Sequence, residues 1–421
     1  MKLQGYALVT MNVYWFGLAF MWNALHPIVL PALLLDLVPD VLKNTYLGAM
    51  TFVGLLSAIA IQPLAGALSD RTPTRWGRRR SWMVSGTLAS MLILGLMVWA
   101  HRLWELMIAY LILQVVSNMA HGPAQGLIPD LVPAEHRGLA AGIKNLFDMG
   151  GLIVTSLVAG QVMQNGNPRL AFAIIGAVLL TATAVTVTTT REPVPDRAFV
   201  AKDRWAGLLR PGLSRHPTYA KLLVGRFLIL LGVYVVQSFS QYYIRDWIGV
   251  PNAAAVTGNL MAAIGVTLML LVSPAGWLSD RVGRWPLNVG AGGLAALGIV
   301  LLVPARSVLA VYAFGAIIGM ATGTFLSVNW ALATDLIPPN EGGKYLGLSN
   351  LATAGAGATS RLAGPLIDGL NAAWRGSFVG YPVTFALAAL ATFGGALLLA
   401  RLWQRQRHLD PLPEVQNQGA L

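Results

Sequence analysis

Cysteine is absent from the 421 residues, which excludes a disulfide scaffold, a thiolate metal cluster and a cysteine nucleophile. Charge is scarce. Only 11% of residues are Asp, Glu, Lys or Arg while 56% are hydrophobic, against about 25% charged in a soluble domain. Walker loop, dinucleotide fingerprint, His-Glu-x-x-His and Gly-x-Ser-x-Gly patterns are also missing, so neither an ATP-driven pump nor a membrane hydrolase has a sequence basis. No cofactor and no resident metal is expected. What the chain does have is long apolar runs, each near the ~20 residues a helix needs to cross a bilayer. The expected class is an all-α integral membrane protein.

The runs predict twelve membrane helices near 6–34, 44–68, 81–100, 103–128, 138–164, 169–189, 219–245, 255–278, 286–304, 307–334, 343–367 and 380–401. The first is too long for a signal-peptide core and reads as a retained helix. A polar, proline-containing stretch at 191–218 separates a six-helix bundle at 1–190 from another at 219–401, and 402–421 form a tail. With the N-terminus inside, twenty of the 29 Lys and Arg fall in cytoplasmic segments and six in external loops. That bias predicts both termini in the cytoplasm of a plasma-membrane protein. The net charge of +12 then reflects topology and contact with lipid headgroups, and no nucleic-acid partner is needed.

The halves repeat. Gly66-Ala-Leu-Ser-Asp-Arg71 after helix 2 returns as Gly276-Trp-Leu-Ser-Asp-Arg281 after helix 8, and Asp130-Leu-Val-Pro pairs with Asp335-Leu-Ile-Pro at the ends of helices 4 and 10. Duplication of this kind is how transporters place a central site between two moving bundles.

A six-plus-six duplication carrying Gly-x-Leu-Ser-Asp-Arg after helices 2 and 8 resembles the major facilitator superfamily. The loop Asp70-Arg-Thr-Pro-Thr-Arg-Trp-Gly-Arg-Arg-Arg80 and the stretch Pro129 to Gly138 resemble the glycoside/pentoside/hexuronide cation symporters and the sucrose/proton symporters. The resemblance implies a cytoplasmic latch between the halves, made of Asp70, Arg71, Arg78, Asp130, Glu135 and Arg137 in the first and Asp280, Arg281, Arg284, Asp335 and Glu341 in the second. Sodium-coupled melibiose-type members carry paired carboxylates in helix 2. Here 44–68 contain neither Asp nor Glu, so a proton is the expected coupling ion.

Carboxylates otherwise fall in loops or at helix ends, and Asp148 is the exception. It lies about ten residues into helix 5, ~15 Å deep at ~1.5 Å per residue. A charge there costs at least ~2.5–3.5 kcal/mol, which marks a functional candidate. Lys144 precedes it by one turn on the same helix face. The pair is either a proton carrier with its tuner or a permanent salt bridge. Arg361 in helix 11 is a candidate for a substrate hydroxyl or carboxylate, or for an outer-gate ion pair with a residue such as Asp36.

Sugar binding needs planar donors and acceptors for hydroxyls and an aromatic face for the ring. Helix 1 offers Trp22, Asn23 and His26. Helix 4 offers Gln114, Asn118, His121 and Gln125, whose spacing makes one polar stripe that cannot comfortably face lipid. Helix 7 adds Gln237, Gln241 and Tyr242, helix 10 Asn329 and Trp330, and helix 11 Asn350. The combined expectation is a monomeric secondary transporter that moves a small molecule, a sugar or glycoside, with protons. Proton-coupled export of drugs or metabolites is the alternative within transport. A non-transporting receptor or scaffold is the alternative outside it.

Overall fold

The computed structural model describes residues 5–72, 74, 76–192, 216–337 and 342–409; most of the expected linker and tail lies outside them. Twelve helical spans run through the described residues. They are α1 (Tyr6–Leu37), α2 (Lys43–Asp70), α3 (Arg78–Met97), α4 (Leu103–Gln125, continued by Leu127–Leu131), α5 (Arg137–Gln164) and α6 (Pro168–Thr189). Then follow α7 (Pro217–Asp246), α8 (Ala253–Val282), α9 (Arg284–Leu302), α10 (Val308–Asp335), α11 (Gly342–Ser360 and Ala363–Ala373) and α12 (Gly380–Leu409). Helices are the expected solution for apolar segments of this length, because a helix satisfies its own backbone hydrogen bonds where water is lacking. Their starts are set locally. Asn167 accepts from Leu170 N at 3.0 Å before α6, and Ser307 accepts from Ala310 N at 3.2 Å before α10, each side chain satisfying an orphan donor of the first turn.

Two helices depart from the simple spans. α11, expected as one helix over 343–367, breaks at Arg361–Leu362, where the backbone switches to i→i−3 bonds from Arg361 N to Ala358 O and from Leu362 N to Thr359 O. α1 carries a π-turn at Leu25–Val29, the segment that holds His26 and Pro27. Pro27 has no N–H to give the preceding turn, and such wide turns recur at functional sites.

Packing follows the sequence duplication. In the first half α1 packs on α5 and α6, α2 on α4, and α3 on α4 and α6; α7 on α11 and α12, α8 on α10, and α9 on α10 and α12 repeat the scheme. Between the halves the main seams are α5 with α8 and α2 with α11. Both seams close toward the face opposite the arginine-rich loops. On α5 the buried residues are Ala140 and then Gly151, Thr155, Ser156, Ala159 and Gly160, so its second half is packed and its first half mostly is not.

Close approach at the α2–α11 seam depends on glycine. A Cβ on Gly364 would sit 2.2 Å from the carbonyl oxygen of Asn44, and one on Gly48 would sit 2.2 Å from that of Arg361. Backbone cannot yield as a flexible side chain can. Gly364→Val is expected to hold this face apart, lengthening the distance between spin labels at the facing ends of α2 and α11. An unchanged distance distribution would mean that the glycine contact does not limit closure.

Candidate functional site

A cavity of about 150 Å³ lies where the halves meet, lined by Trp22, Asn23, His26 and Pro27 of α1, Leu47 and Thr51 of α2, and Leu152 of α5. The second half contributes Tyr234, Gln237 and Ser238 of α7, Met261 and Ile264 of α8, and Arg361 of α11. Five of the expected substrate residues thus share one space: Trp22, Asn23, His26, Gln237 and Arg361. The π-turn of α1 presents His26 beside Trp22, and the two rings stack at 5.0 Å and 18°. The break in α11 puts the Arg361 guanidinium at the same place. Among the described residues only its Nη1 is engaged, with Gly357 O at 2.5 Å and Ser360 Oγ at 3.1 Å. The ion pair with Asp36 does not form. Tyr234, Thr51 and Ser238 were not expected from the sequence, where a lone hydroxyl in an apolar helix carries no signal.

The α4 stripe forms a chain of hydrogen bonds below the cavity. His26 Nε2 meets Tyr110 Oη at 3.0 Å, and Gln114 Nε2 donates to the same oxygen at 2.6 Å. Asn118 Nδ2 donates to Gln114 Oε1 at 3.1 Å, and Gln62 Nε2 to Asn118 Oδ1 at 2.7 Å. Gln125 Nε2 completes the chain, 3.2 Å from Gln62 Oε1 and 3.0 Å from His121 Nε2. Of the four stripe residues none lines the cavity directly; Gln114 supports His26 through Tyr110. Gln62 of α2 joins the stripe because its partners lie on another helix, which sequence spacing does not reveal.

Asp148 accepts a hydrogen bond from Lys144 Nζ at 2.7 Å, and each side chain is about a quarter exposed, at 25% and 26%. The ammonium also lies 4.0 Å from the centroid of the Trp15 ring, and that ring packs edge-on against His121 at 5.3 Å. The pair therefore faces α1 and α4. It lies one turn from Leu152, which lines the cavity, toward the arginine-rich face.

Five further expected substrate residues lie outside the cavity, three of them engaged elsewhere. Tyr242 is fully buried and donates to Pro31 O at 2.9 Å. Gln241, with its amide nitrogen turned toward α1, donates to Pro27 O at 2.8 Å and Ile28 O at 2.9 Å. Both tie α7 to α1 rather than line the cavity. Asn329 accepts from Arg226 Nη1 at 2.6 Å. Trp330 and Asn350 are exposed and outside the cavity lining.

On the arginine-rich face the expected latch pairs within each half. Arg79 reaches Asp70 at 2.5 Å and Asp130 at 3.1 Å, and Arg78 reaches Asp130 at 2.7 Å. Arg284 reaches Asp335 at 2.5 Å and Asp280 at 3.8 Å. Arg137 donates to Val132 O and Pro129 O, Arg281 stacks over Trp277, and Arg71 and Glu135 are exposed. Glu341 lies outside the described residues. Among the described residues no ion pair joins the halves here, because this face is open and the two clusters stand apart. Arg79 was not expected from the sequence: three adjacent arginines give no sign of which one turns inward.

The ion pairs that do join the halves lie on the opposite face. Lys43 of α2 meets Asp246 of α7 at 2.7 Å with both side chains under 5% exposed, and Arg245 meets Asp40 at 2.6 Å. Asp368 of α11 accepts from Asn44 Nδ2 at 2.8 Å and from Thr45 N and Oγ1 at 2.7 Å each. Tyr381 donates to Asp246 at 2.7 Å. The charged members, Lys43, Asp40, Arg245, Asp246 and Asp368, read in the sequence as loop charges and helix ends, since their partners in the other half lie some two hundred residues or more away.

The sequence profile of the Major Facilitator Superfamily matches residues 5–360. The multi-drug resistance efflux pump PmrA of Streptococcus pneumoniae is 24% identical over 297 residues, covering 70% of this chain and 72% of the pump. The multidrug resistance protein MdtG of Proteus mirabilis is 26% identical over 324 residues, covering 73% and 75%. The crystal structure of the nucleoside transporter NupG superposes with a TM-score of 0.75 over 96% of this chain and all of NupG, at 12% identity, a likeness of fold alone. The twelve-helix duplicated architecture, the cavity between its halves and the match along most of the chain place this protein in the Major Facilitator Superfamily, as a multi-pass membrane transporter and not an enzyme.

Proposed function

We propose that the chain is a proton-coupled transporter of a small hydroxylated solute of the sugar or glycoside type, working by alternating access in the plasma membrane. The observation that carries this reading is the cavity itself. A stacked Trp22–His26 surface stands with the amides of Asn23 and Gln237 and the hydroxyl of Ser238, the combination of apolar face and planar polar groups that a sugar ring uses. In this reading residues 1–190 rock against 219–401 about the cavity as a monomer, and 191–218 link them. The arginine-rich face is cytoplasmic, so the conformation described is open to the inside and closed outside.

Asp148 is the proton carrier and Lys144 its tuner. Lys144 holds the ionised carboxylate in the inward-open state, and protonation from the other side releases Lys144 and lets the carboxyl enter the closed bundle uncharged. A neutral carboxyl avoids the desolvation cost of an ion. The latch residues Asp70, Arg78, Asp130, Asp280, Arg284 and Asp335 pair within their halves while this face is open, and exchange partners across the halves when it closes.

Uptake of a labelled sugar panel into proteoliposomes under an inward proton gradient tests this reading. Wild-type protein is expected to accumulate a sugar. Asp148→Asn is expected to bring that sugar only to equilibrium, with exchange across the membrane preserved. Accumulation unchanged in the mutant would move the coupling site away from Asp148. A second reading, proton-coupled export, is favoured by the description of PmrA as an efflux pump and of MdtG as a multidrug resistance protein. It predicts no sugar uptake by active protein, and gradient-driven removal of a hydrophobic dye from the same vesicles.

A further inference from the structure

The charges inside the bundle do not balance. Away from the two faces the interior holds Lys144, Arg226 and Arg361, against the single carboxylate of Asp148, which Lys144 already neutralises at 2.7 Å. Arg226 is 4% exposed. Its Nε donates to Thr353 Oγ1 at 2.9 Å and its Nη1 to Asn329 Oδ1 at 2.6 Å, both neutral acceptors. Arg361 is held by a carbonyl and a hydroxyl of its own helix. Among the described residues neither arginine has a carboxylate within ion-pair distance. The acids that follow on the same or the contacted helix, Asp368 after Arg361 and Asp335 after Asn329, are committed to Asn44 and Thr45 and to Arg284.

An arginine inside a membrane protein normally faces a carboxylate, backbone carbonyls or a functional ligand, because an uncompensated cation is costly there. We infer that the missing counter-charge belongs to the solute: the cavity takes a small organic anion whose acidic group is held by Arg361. The guanidinium offers a planar fork that matches a carboxylate or a phosphate, and only one of its terminal nitrogens is occupied. The Trp22–His26 stack then covers the body of the solute. The cavity lining contains no Asp or Glu among the described residues, so an organic cation meets the Arg361 charge with no carboxylate to offset it. Arg226 binds Thr353, eight residues before Arg361 on α11, about 12 Å nearer the open face. This inference rests on the cavity being the solute site, and it is independent of whether the solute is a sugar.

Counterflow in proteoliposomes of the full chain, with two charge-matched sets of probes, separates the alternatives. One set is gluconate, glucose and glucosamine; the other is benzoate, benzyl alcohol and benzylamine. At least one anion is expected to exchange about tenfold or more faster than its neutral partner, and its cation not at all. Arg361→Gln is expected to slow that anion by about tenfold to a hundredfold, the worth of a charge-assisted hydrogen bond. Arg361→Lys should restore part of the rate, and equal melting temperatures would exclude misfolding as the cause. Glucose exchanging while gluconate does not overturns the anion and leaves the sugar reading standing. Benzoate exchanging in an Arg361-dependent way, with no sugar moved, keeps the anion and overturns the sugar. Exchange of the anion unaltered in Arg361→Gln, or no exchange of any probe, overturns the inference.

Discussion

Asp246→Asn is expected to turn the transporter, by about a hundredfold or more, toward the state open at the face that carries Lys43 and Asp246. Lys43 and Asp246 form a pair across the halves with side chains 3% and 4% exposed, and Tyr381 donates to the same carboxylate. Removing Asp246 leaves the buried Lys43 with Asp40 alone, at 3.0 Å and 57% exposed; breaking a buried pair costs about 3–5 kcal/mol, whereas replacing both members by apolar residues is often neutral. The cost falls on the closed conformation alone, because opening this face hydrates the Lys43 ammonium. Since ~1.4 kcal/mol is a factor of ten, the equilibrium moves by two to three orders of magnitude. The absence of cysteine makes the measurement direct: Thr51→Cys, which lines the cavity, becomes the sole thiol. Its labelling by an impermeant maleimide from outside should accelerate in Asp246→Asn and in Lys43→Met, and return toward wild type in Lys43→Met/Asp246→Leu. Equal rates in all four proteins would remove this pair as an outer gate.

Arg79→Leu should be the most destabilising change on the arginine-rich face. The side chain is 8% exposed, yet it meets Asp70 at 2.5 Å, Asp130 at 3.1 Å, Ser69 Oγ at 2.6 Å and Gly66 O at 3.1 Å. One guanidinium therefore fastens the end of α2 and the end of α4 to the start of α3. The backbone N–H groups of Arg79 and Arg80 donate in turn to Glu192 at 2.9 and 2.8 Å, where a carboxylate also complements the positive end of the α3 dipole. Loss of a buried, hydrogen-bonded charge of this kind costs about 3–5 kcal/mol. A lower melting temperature in detergent is expected for Arg79→Leu, with little recovery in Arg79→Lys because an ammonium cannot reproduce the planar fork. Exposed Arg71→Ala should melt as wild type. A melting temperature for Arg79→Leu equal to that of Arg71→Ala would show that the cluster carries no fold energy.

The spans, the duplication and the superfamily were legible in the sequence because each rests on local information: run length, loop charge, and a motif written twice. The helix 1 trio and Arg361, which line the cavity, stood out in the sequence because polar groups are rare in these helices and conspicuous against them. Partner identity was not legible. Gln62 looks like a stray amide until α4 is packed beside it, and Lys43 looks like a loop charge until α7 brings Asp246 from the other half. Periodicity tells which face of a helix is polar, but not which of several helices that face meets. The break in α11 had a local signal in Pro365, which has no N–H to give the Arg361 carbonyl four residues before it and whose ring crowds that carbonyl. α2 crosses at the same point, its Gly48 backing onto the Arg361 carbonyl.

That break gives α11 an uneven mechanical loading. The piece before it is tied to α7, through Tyr219 to the Tyr345 carbonyl and through Arg226 to Thr353, both within the second half. The piece after it is tied by Asp368 to Asn44 and Thr45 of the first half. One helix thus has its two ends moored to bodies that separate during a transport cycle. Tension between them concentrates at the joint, where the backbone has already given up its α-helical bonding, and Arg361 sits on that joint. On the proposal that Arg361 grips the solute, occupancy of the cavity would change stiffness at the point where the two bodies meet, and would couple to the freedom of the closed face to part through a single turn of backbone.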